Sequence, residues 1–192
     1  MKQIINDIRQ CNLCHDLPMG PNPVVQLGIN SRILIIGQAP GRKVHQSGVP
    51  WDDKSGDTLR QWLGVSKEVF YDPEIFAIMG MSFCYPGKGI SGDLPPRPTC
   101  SKTWHKLILD KFGTKPITLL IGQYAQRHYL PGVYKGVTDT VKNFESFLPE
   151  YFSLPHPSPR NQNWLKINPW FAETVLPELR MMIKELLEQD SC

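Results

Sequence analysis

Four cysteines carry the first chemistry legible in the chain: Cys11 and Cys14 as a C-x2-C pair, then Cys84, then Cys100. A C-x2-C pair can place two thiolates on one metal or cluster, and the two later cysteines stand at the edges of a proline-rich stretch from Tyr85 to Thr99. Four thiolates hold either zinc or an iron-sulfur cluster, since both take soft sulfur ligands. Structural zinc more often uses two close pairs, so one close pair with two dispersed ligands leans toward iron-sulfur. The opposing reading makes Cys84 a buried small hydrophobe at a strand end and leaves Cys11 and Cys14 as a thiol pair without metal. The fifth cysteine, the terminal Cys192, is read as a bystander.

Two loops carry the second chemistry. Gly37-Gln38-Ala39-Pro40-Gly41 follows an apolar run, and its small residues let a ligand approach the backbone closely. Pro155-His156-Pro157-Ser158-Pro159-Arg160-Asn161 follows another. A proline on each side restricts the backbone at His156 and aims its imidazole, while the hydroxyl and guanidinium that follow suit phosphate contacts.

The elements that must position these groups are short β-rich runs alternating with amphipathic stretches, the pattern of βα units on a parallel sheet. Strands are expected at 32–37, 75–83, 116–122 and 151–154, and helices at 2–10, 55–63, 101–112, 123–130 and 169–188. In the last helix Phe171, Val175, Leu179, Met182, Ile183 and Leu186 recur at three- and four-residue steps, which predicts one buried face. His45 to Asp53 and Tyr85 to Thr99 read as long loops, and the loops after the strands leave from C-terminal ends, where open α/β sheets bind ligands.

Composition sets the outer bounds. The 192 residues, 41% apolar with a net charge of +3, describe one domain that can close a core and exclude disorder as the main state. No apolar run approaches the ~20 residues that span a bilayer, and the N-terminal stretch has no secretory pattern, so a cytoplasmic protein with no membrane partner is expected. Eighteen prolines predict rigid loops between short elements. The slight positive charge permits nucleic acid as a partner without demanding it.

GQAPG and HPSPR on an α/β chain with these four cysteines resemble the uracil-DNA glycosylase superfamily, closest to its iron-sulfur (family 4) branch, although HPSPRN is nearer to the single-strand-selective glycosylases. The resemblance runs from Cys11 to the final helix. Gly48-Val49-Pro50-Trp51 and Gly56 fall in register with a family segment that places Trp51 at the base-stacking aromatic. The implied fold is a three-layer αβα sandwich on a four-stranded, mainly parallel sheet, a single domain over residues 1 to 192. Cys11, Cys14, Cys84 and Cys100 resemble the ligands of the family's [4Fe-4S] cluster, which moves that reading ahead of zinc.

The implied function is DNA repair: hydrolysis of the N-glycosidic bond of uracil or another deaminated base flipped out of damaged or single-stranded DNA, by a monomer. His156 would donate a hydrogen bond to the departing base's oxyanion, helped by the backbone of Gly37, Ala39, Pro40 and Gly41. Ser158, Arg160 and Asn161 would grip phosphates or wedge the gap left by the base. The family's uracil-reading Asn falls at Gly80, a second Asn at Gly89, and a classical Asp at Ala39. Gln38, Asp52, Asp53 and Asp93 are the possible substitutes, with Gln38 and Asp53 placed beside His156 as the catalytic set. A pocket enlarged by Gly80 could take a larger base. The alternative is a catalytically weak or inactive binding protein for nucleic acid or nucleotide, with the same fold and a structural cluster.

Among other residues, Trp62, Trp104 and Trp164 are expected in packing roles and His45 exposed on its loop. Lys102, Lys106, Lys111 and Lys115 read as a solvated face, and Lys88 and Arg97 as DNA contacts.

Overall fold

The computed structural model describes residues 1–188, so Cys192 lies outside the described residues. The strands are β1 (Ile33–Gly37), β2 (Phe76–Gly80), β3 (Ile117–Ile121) and β4 (Tyr151–Leu154). The helices are α1 (Lys2–Arg9), α2 (Arg42–Ser47), α3 (Lys54–Leu63), α4 (Lys67–Phe70), α5 (Lys106–Leu109), α6 (Gln123–Tyr129), α7 (Val137–Lys142), α8 (Gln162–Ile167) and α9 (Leu176–Glu188). All strand pairs are parallel in the order β2-β1-β3-β4. The chain therefore leaves β1 to one side for β2 and crosses back to β3, and strand order reverses beside the C-terminal end of β1, the place where such sheets form a ligand crevice.

Alternation along the strands builds two cores. Ile33, Ile35, Phe76, Ile78, Leu119, Ile121, Phe152 and Leu154 face one side and pack against α3, α7 and α9. Leu34, Ile36, Ala77, Met79 and Leu120 face the other and pack against α1, α5 and α6. Because both faces are covered, the strands read as continuous apolar runs. The result is the three-layer α/β architecture that the sequence predicts, with an all-parallel sheet. Gln26 exchanges backbone hydrogen bonds with Ile78 at 2.9 and 2.6 Å, so the segment before β1 caps the outer edge of β2.

Several boundaries differ from the expected ones. Arg42–Ser47 is a helix, closed by Gly48 in the left-handed region, so the first three residues of the expected His45 to Asp53 loop are helical. The 101–112 helix begins as a π-type turn, Ser101–His105, and continues only to Leu109. The final helix likewise opens with a π-type turn at Phe171–Val175. Trp62 is core, and Trp164 packs on its edge. Lys102, Lys106, Lys111 and Lys115 are exposed, Lys106 pairing with Asp110 and Lys115 with Glu150. Among the described residues no helix is long and apolar enough to cross a membrane.

Candidate functional site

A cleft of about 410 Å³ opens at the C-terminal ends of the strands, a volume that suits a small organic ligand. It is lined by Gly37, Gln38, Ala39, Pro40 and Gly41 after β1, by Trp51 and Asp53 before α3, and by His156, Ser158, Arg160 and Asn161 after β4. Gly80 closes the back, and Asp93 enters from the 85–99 loop. Of the non-cysteine residues that the sequence singles out for the site, Asp52, Lys88, Gly89 and Arg97 do not line this cleft.

Trp51 is held by its neighbours. It is the one described non-glycine residue with a positive φ, 57°, a conformation that costs an L-residue roughly 1–2 kcal/mol. Gly56 makes room for it, since a Cβ there would lie 1.7 Å from the Trp51 carbonyl oxygen. Asp53 then caps α3 by accepting from the Gly56 N–H at 2.9 Å. The indole overlies Gly37, where a Cβ would come within 2.9 Å of Cζ2, and its ring centroid lies 5.5 Å from that of His156. The local sequence Trp-Asp-Asp-Lys-Ser-Gly thus sets the aromatic wall and the helix start together.

His156 follows β4 on the proline-flanked loop. Its backbone carbonyl accepts from Asn161 Nδ2 at 2.7 Å, and its Nδ1 is buried with no hydrogen-bond partner among the described residues. Burial pushes the imidazole below its ordinary range, while the Asp53 carboxylate draws it back up. Burial thus favours the neutral ring, and a neutral imidazole keeps one N–H that can donate.

Gly80 departs from expectation. A Cβ there would stand 2.5 Å from the Ser82 carbonyl oxygen and 3.2 Å from that of Gln38. Backbone, not open space, occupies the position of the missing side chain, so glycine here does not enlarge the cleft. Ser82 N–H donates to the Gln38 carbonyl and Met81 N–H to that of Gly37, at 3.1 and 2.9 Å, which draws the ends of β1 and β2 together.

The 85–99 loop closes the cleft mouth. Tyr85 hydroxyl donates to Asp93 at 3.2 Å, and the Tyr85 N–H donates to His45 Nδ1 at 3.1 Å. His45 is therefore not an exposed loop residue; it is 3% exposed, because α2 turns it inward to anchor this loop. Arg160 Nη1 donates to the Ser91 carbonyl at 3.0 Å, bracing the two loops against each other. Arg97 pairs with Asp16 at 2.6 Å and fastens the loop to the segment after Cys14. Lys88 is exposed.

Cys11, Cys14, Cys84 and Cys100 line one small separate cavity. All four are free thiols, Cys84 and Cys100 buried and the first pair half-buried. Burial, with the Cys100, Cys14 and Cys11 thiols beside it, pushes Cys84 up to about 12. The Phe83 N–H donates to Cys100 Sγ at 3.3 Å. Among the described residues no group of three or more His, Cys, Asp or Glu side chains is arranged to hold a single metal ion. A donor set of four thiols around one cavity is the chemistry that a thiolate-bound metal or cluster takes.

Sequence reasoning passed over one residue behind the cleft. His105 is buried, donates from Nε2 to the Gly80 carbonyl at 3.0 Å and accepts at Nδ1 from Tyr129 hydroxyl at 2.7 Å. That assignment follows from its neutral state, since burial pushes its pKa down to about 4. The Phe83 and Tyr129 rings lie nearly parallel to it, with centroids 5.7 and 6.0 Å away. A single His inside an expected helix carries no signal for such a role.

An open parallel sheet with a ligand-sized cleft at its strand-order reversal defines an α/β domain whose binding site is made of loops after β1 and β4. A family model described as the Uracil DNA glycosylase superfamily matches residues 25–180, and the chain belongs to that superfamily. Cys11 and Cys14 precede the matched span.

Proposed function

We propose that this protein is a DNA glycosylase that draws uracil or another deaminated base out of DNA and hydrolyses its N-glycosidic bond. The observation that supports it most is the placement of His156 beside the Trp51 ring, both lining one cleft of ligand size, in a chain of this superfamily. Trp51 stacks on the extruded base, an interaction worth ~1–3 kcal/mol. As the bond to C1′ breaks, its electron pair leaves with the base and positive charge develops on the sugar. His156 donates a hydrogen bond to the base oxyanion, a contribution of roughly 3 kcal/mol for a preorganised donor. Water then adds to C1′, and its proton passes to a carboxylate. Asp53 and Asp93 are the carboxylates at the cleft; each has an oxygen within about 4 Å of the point where a Gly41 Cβ would sit. Gln38 is a further polar residue lining the cleft.

Cys11, Cys14, Cys84 and Cys100 are proposed to hold a [4Fe-4S] cluster, which supplies cross-linking of the N-terminal segment to both ends of the 85–99 loop. A second reading, a base-binding protein that does not cleave, is favoured by the backbone closure at Gly80, which leaves no place for a base-reading amide there.

The test is base release by anaerobically purified protein from oligonucleotides carrying uracil, hypoxanthine or xanthine, with iron and zinc measured on the same batch. Release is expected, with His156→Ala lowering it about 10²–10³-fold. Full iron content with no release from any substrate would overturn the catalytic reading, and zinc in place of iron the cluster.

A further inference from the structure

The charged groups of the cleft are unevenly divided. Two carboxylates, Asp53 and Asp93, line it against one guanidinium, Arg160. Arg160 is already committed, since its Nη1 donates to the Ser91 carbonyl at 3.0 Å and presses on Gly92, where a Cβ would come within 2.4 Å of it. Each carboxylate, by contrast, spends one oxygen on the fold and keeps the other. Asp53 Oδ1 accepts from the Gly56 N–H at 2.9 Å, and Asp93 Oδ1 from the Tyr85 hydroxyl at 3.2 Å. The two Oδ2 atoms come from different segments, the start of α3 and the 85–99 loop, yet they converge on Gly41, where a Cβ would lie 4.0 Å from one and 3.8 Å from the other.

That charge balance bears on which base can leave. When a neutral pyrimidine departs, the electron pair of its glycosidic bond makes it an anion, and two nearby carboxylates oppose that charge. A purine alkylated on a ring nitrogen is already a cation. It is attracted by the carboxylates while bound, and the same electron pair lets it depart neutral as the positive charge passes to the sugar. A positive charge is then present at every stage, and the carboxylates oppose none of them. Trp51 suits such a base, because an indole face holds a cation better than any other side-chain ring. The main chain at Gly80 leaves no place for an amide that would read a pyrimidine edge, and a cleft of about 410 Å³ admits a purine. We propose that the cleft takes cationic purines alkylated on a ring nitrogen, such as 7-methylguanine, and that Asp53 and Asp93 select them by charge. The C1′–N9 bond breaks, its electron pair neutralises the methylpurinium ring, and water adds to C1′ with its proton passing to a carboxylate. This rests on the glycosylase reading above and extends it from deaminated to alkylated bases.

Wild type, Asp53→Asn and Asp93→Asn are compared on duplex oligonucleotides carrying 7-methylguanine or uracil, each rate corrected for loss without protein. Asparagine removes the charge and still caps a helix. Release of 7-methylguanine is expected to exceed that of uracil about tenfold. Each substitution should lower that ratio about two- to fivefold, the factor for one solvent-exposed charge pair, and the double substitution about tenfold. His156→Ala should cost 7-methylguanine less than about tenfold, against about 10²–10³-fold for uracil, because a base that departs neutral presents no oxyanion. In titrations, a 2′-fluoro-7-methylguanine duplex, which resists base loss, should bind about tenfold tighter than its neutral 7-deaza isostere. The inference is overturned, with the glycosylase reading left standing, if protein that releases uracil, hypoxanthine or xanthine releases no 7-methylguanine, or if the charged and neutral isosteres bind equally. A ratio that neither aspartate substitution moves overturns the selection by charge. Iron-loaded protein that releases neither class of base removes the glycosylase reading and this inference together.

Discussion

At Gly80 the main chain itself decides what the cleft can read. With Ser82 carbonyl 2.5 Å from any Cβ there, Gly80→Asn cannot install a base-reading amide without moving the end of β2. The substitution is expected to cost about 1–3 kcal/mol, as overpacking does, and to bring no gain in uracil over other deaminated bases. Urea denaturation and the ratio of release rates check both halves. Trp51 answers to a different rule, because its ring faces the cleft and its backbone is held by Gly56. Trp51→Ala should therefore weaken binding of a base-flipped oligonucleotide about ten- to a hundredfold, the worth of one stacked base, read by titration at fixed salt.

Two elements carry the site, and each has a structural signature. The start of α3 is built around Trp51, with Asp53 as cap and Gly56 as the residue that passes beneath its carbonyl. The π-type turn before α5 places His105 between β2 and α6, where it joins Gly80 to Tyr129. A histidine whose folded pKa is lowered binds its proton more readily when unfolded. Between the ordinary value near 6.5 and the folded value of about 4, the unfolded chain takes up the proton first, so stability is full above pH 6.5 and falls as pH drops through that window. The loss attributable to His105 should be on the order of 3 kcal/mol by pH 4. Burial lowers His45 and His156 as well, so they steepen the same fall. Urea midpoints at pH 7 and pH 5 should show it, and a His105→Gln variant, less stable at pH 7, should show a shallower slope.

At the scale of the molecule, the 85–99 loop is the part that joins everything else. It is fixed to α2 through His45, to the β4 loop through Arg160, to the N-terminal segment through Arg97 and Asp16, and it begins and ends beside the cysteine cavity. Cys84→Ser is accordingly expected to lower iron content and, on the same samples, to speed limited proteolysis within residues 85–99 while cleavage elsewhere changes little. Unchanged iron would remove Cys84 from the cluster, and unchanged proteolysis would separate the cluster from the loop.

The division between sequence and tertiary structure follows the range of the forces involved. Apolar runs such as Ile33 to Ile36 and Ile117 to Ile121 announce buried parallel strands because burial on both faces leaves no polar alternation. Gly37 to Gly41 and Pro155 to Asn161 announce a site because short-range backbone restriction is written in glycine and proline. Gly37 to Gly41 and, from the second stretch, His156, Ser158, Arg160 and Asn161 line one cleft. What distant contacts decide was not legible in this way. His45 reads as a loop residue and is an interior anchor, and Gly80 reads as vacated space and is filled by the Ser82 carbonyl; the pairing of Arg97 with Asp16 has no sign in the sequence. His105 likewise depends on partners many residues away. Local propensity and periodicity act over a few residues and survive in a linear reading. The exposure of a histidine, the room beside a glycine and the partner of a cation are set only when the sheet and its loops close in three dimensions.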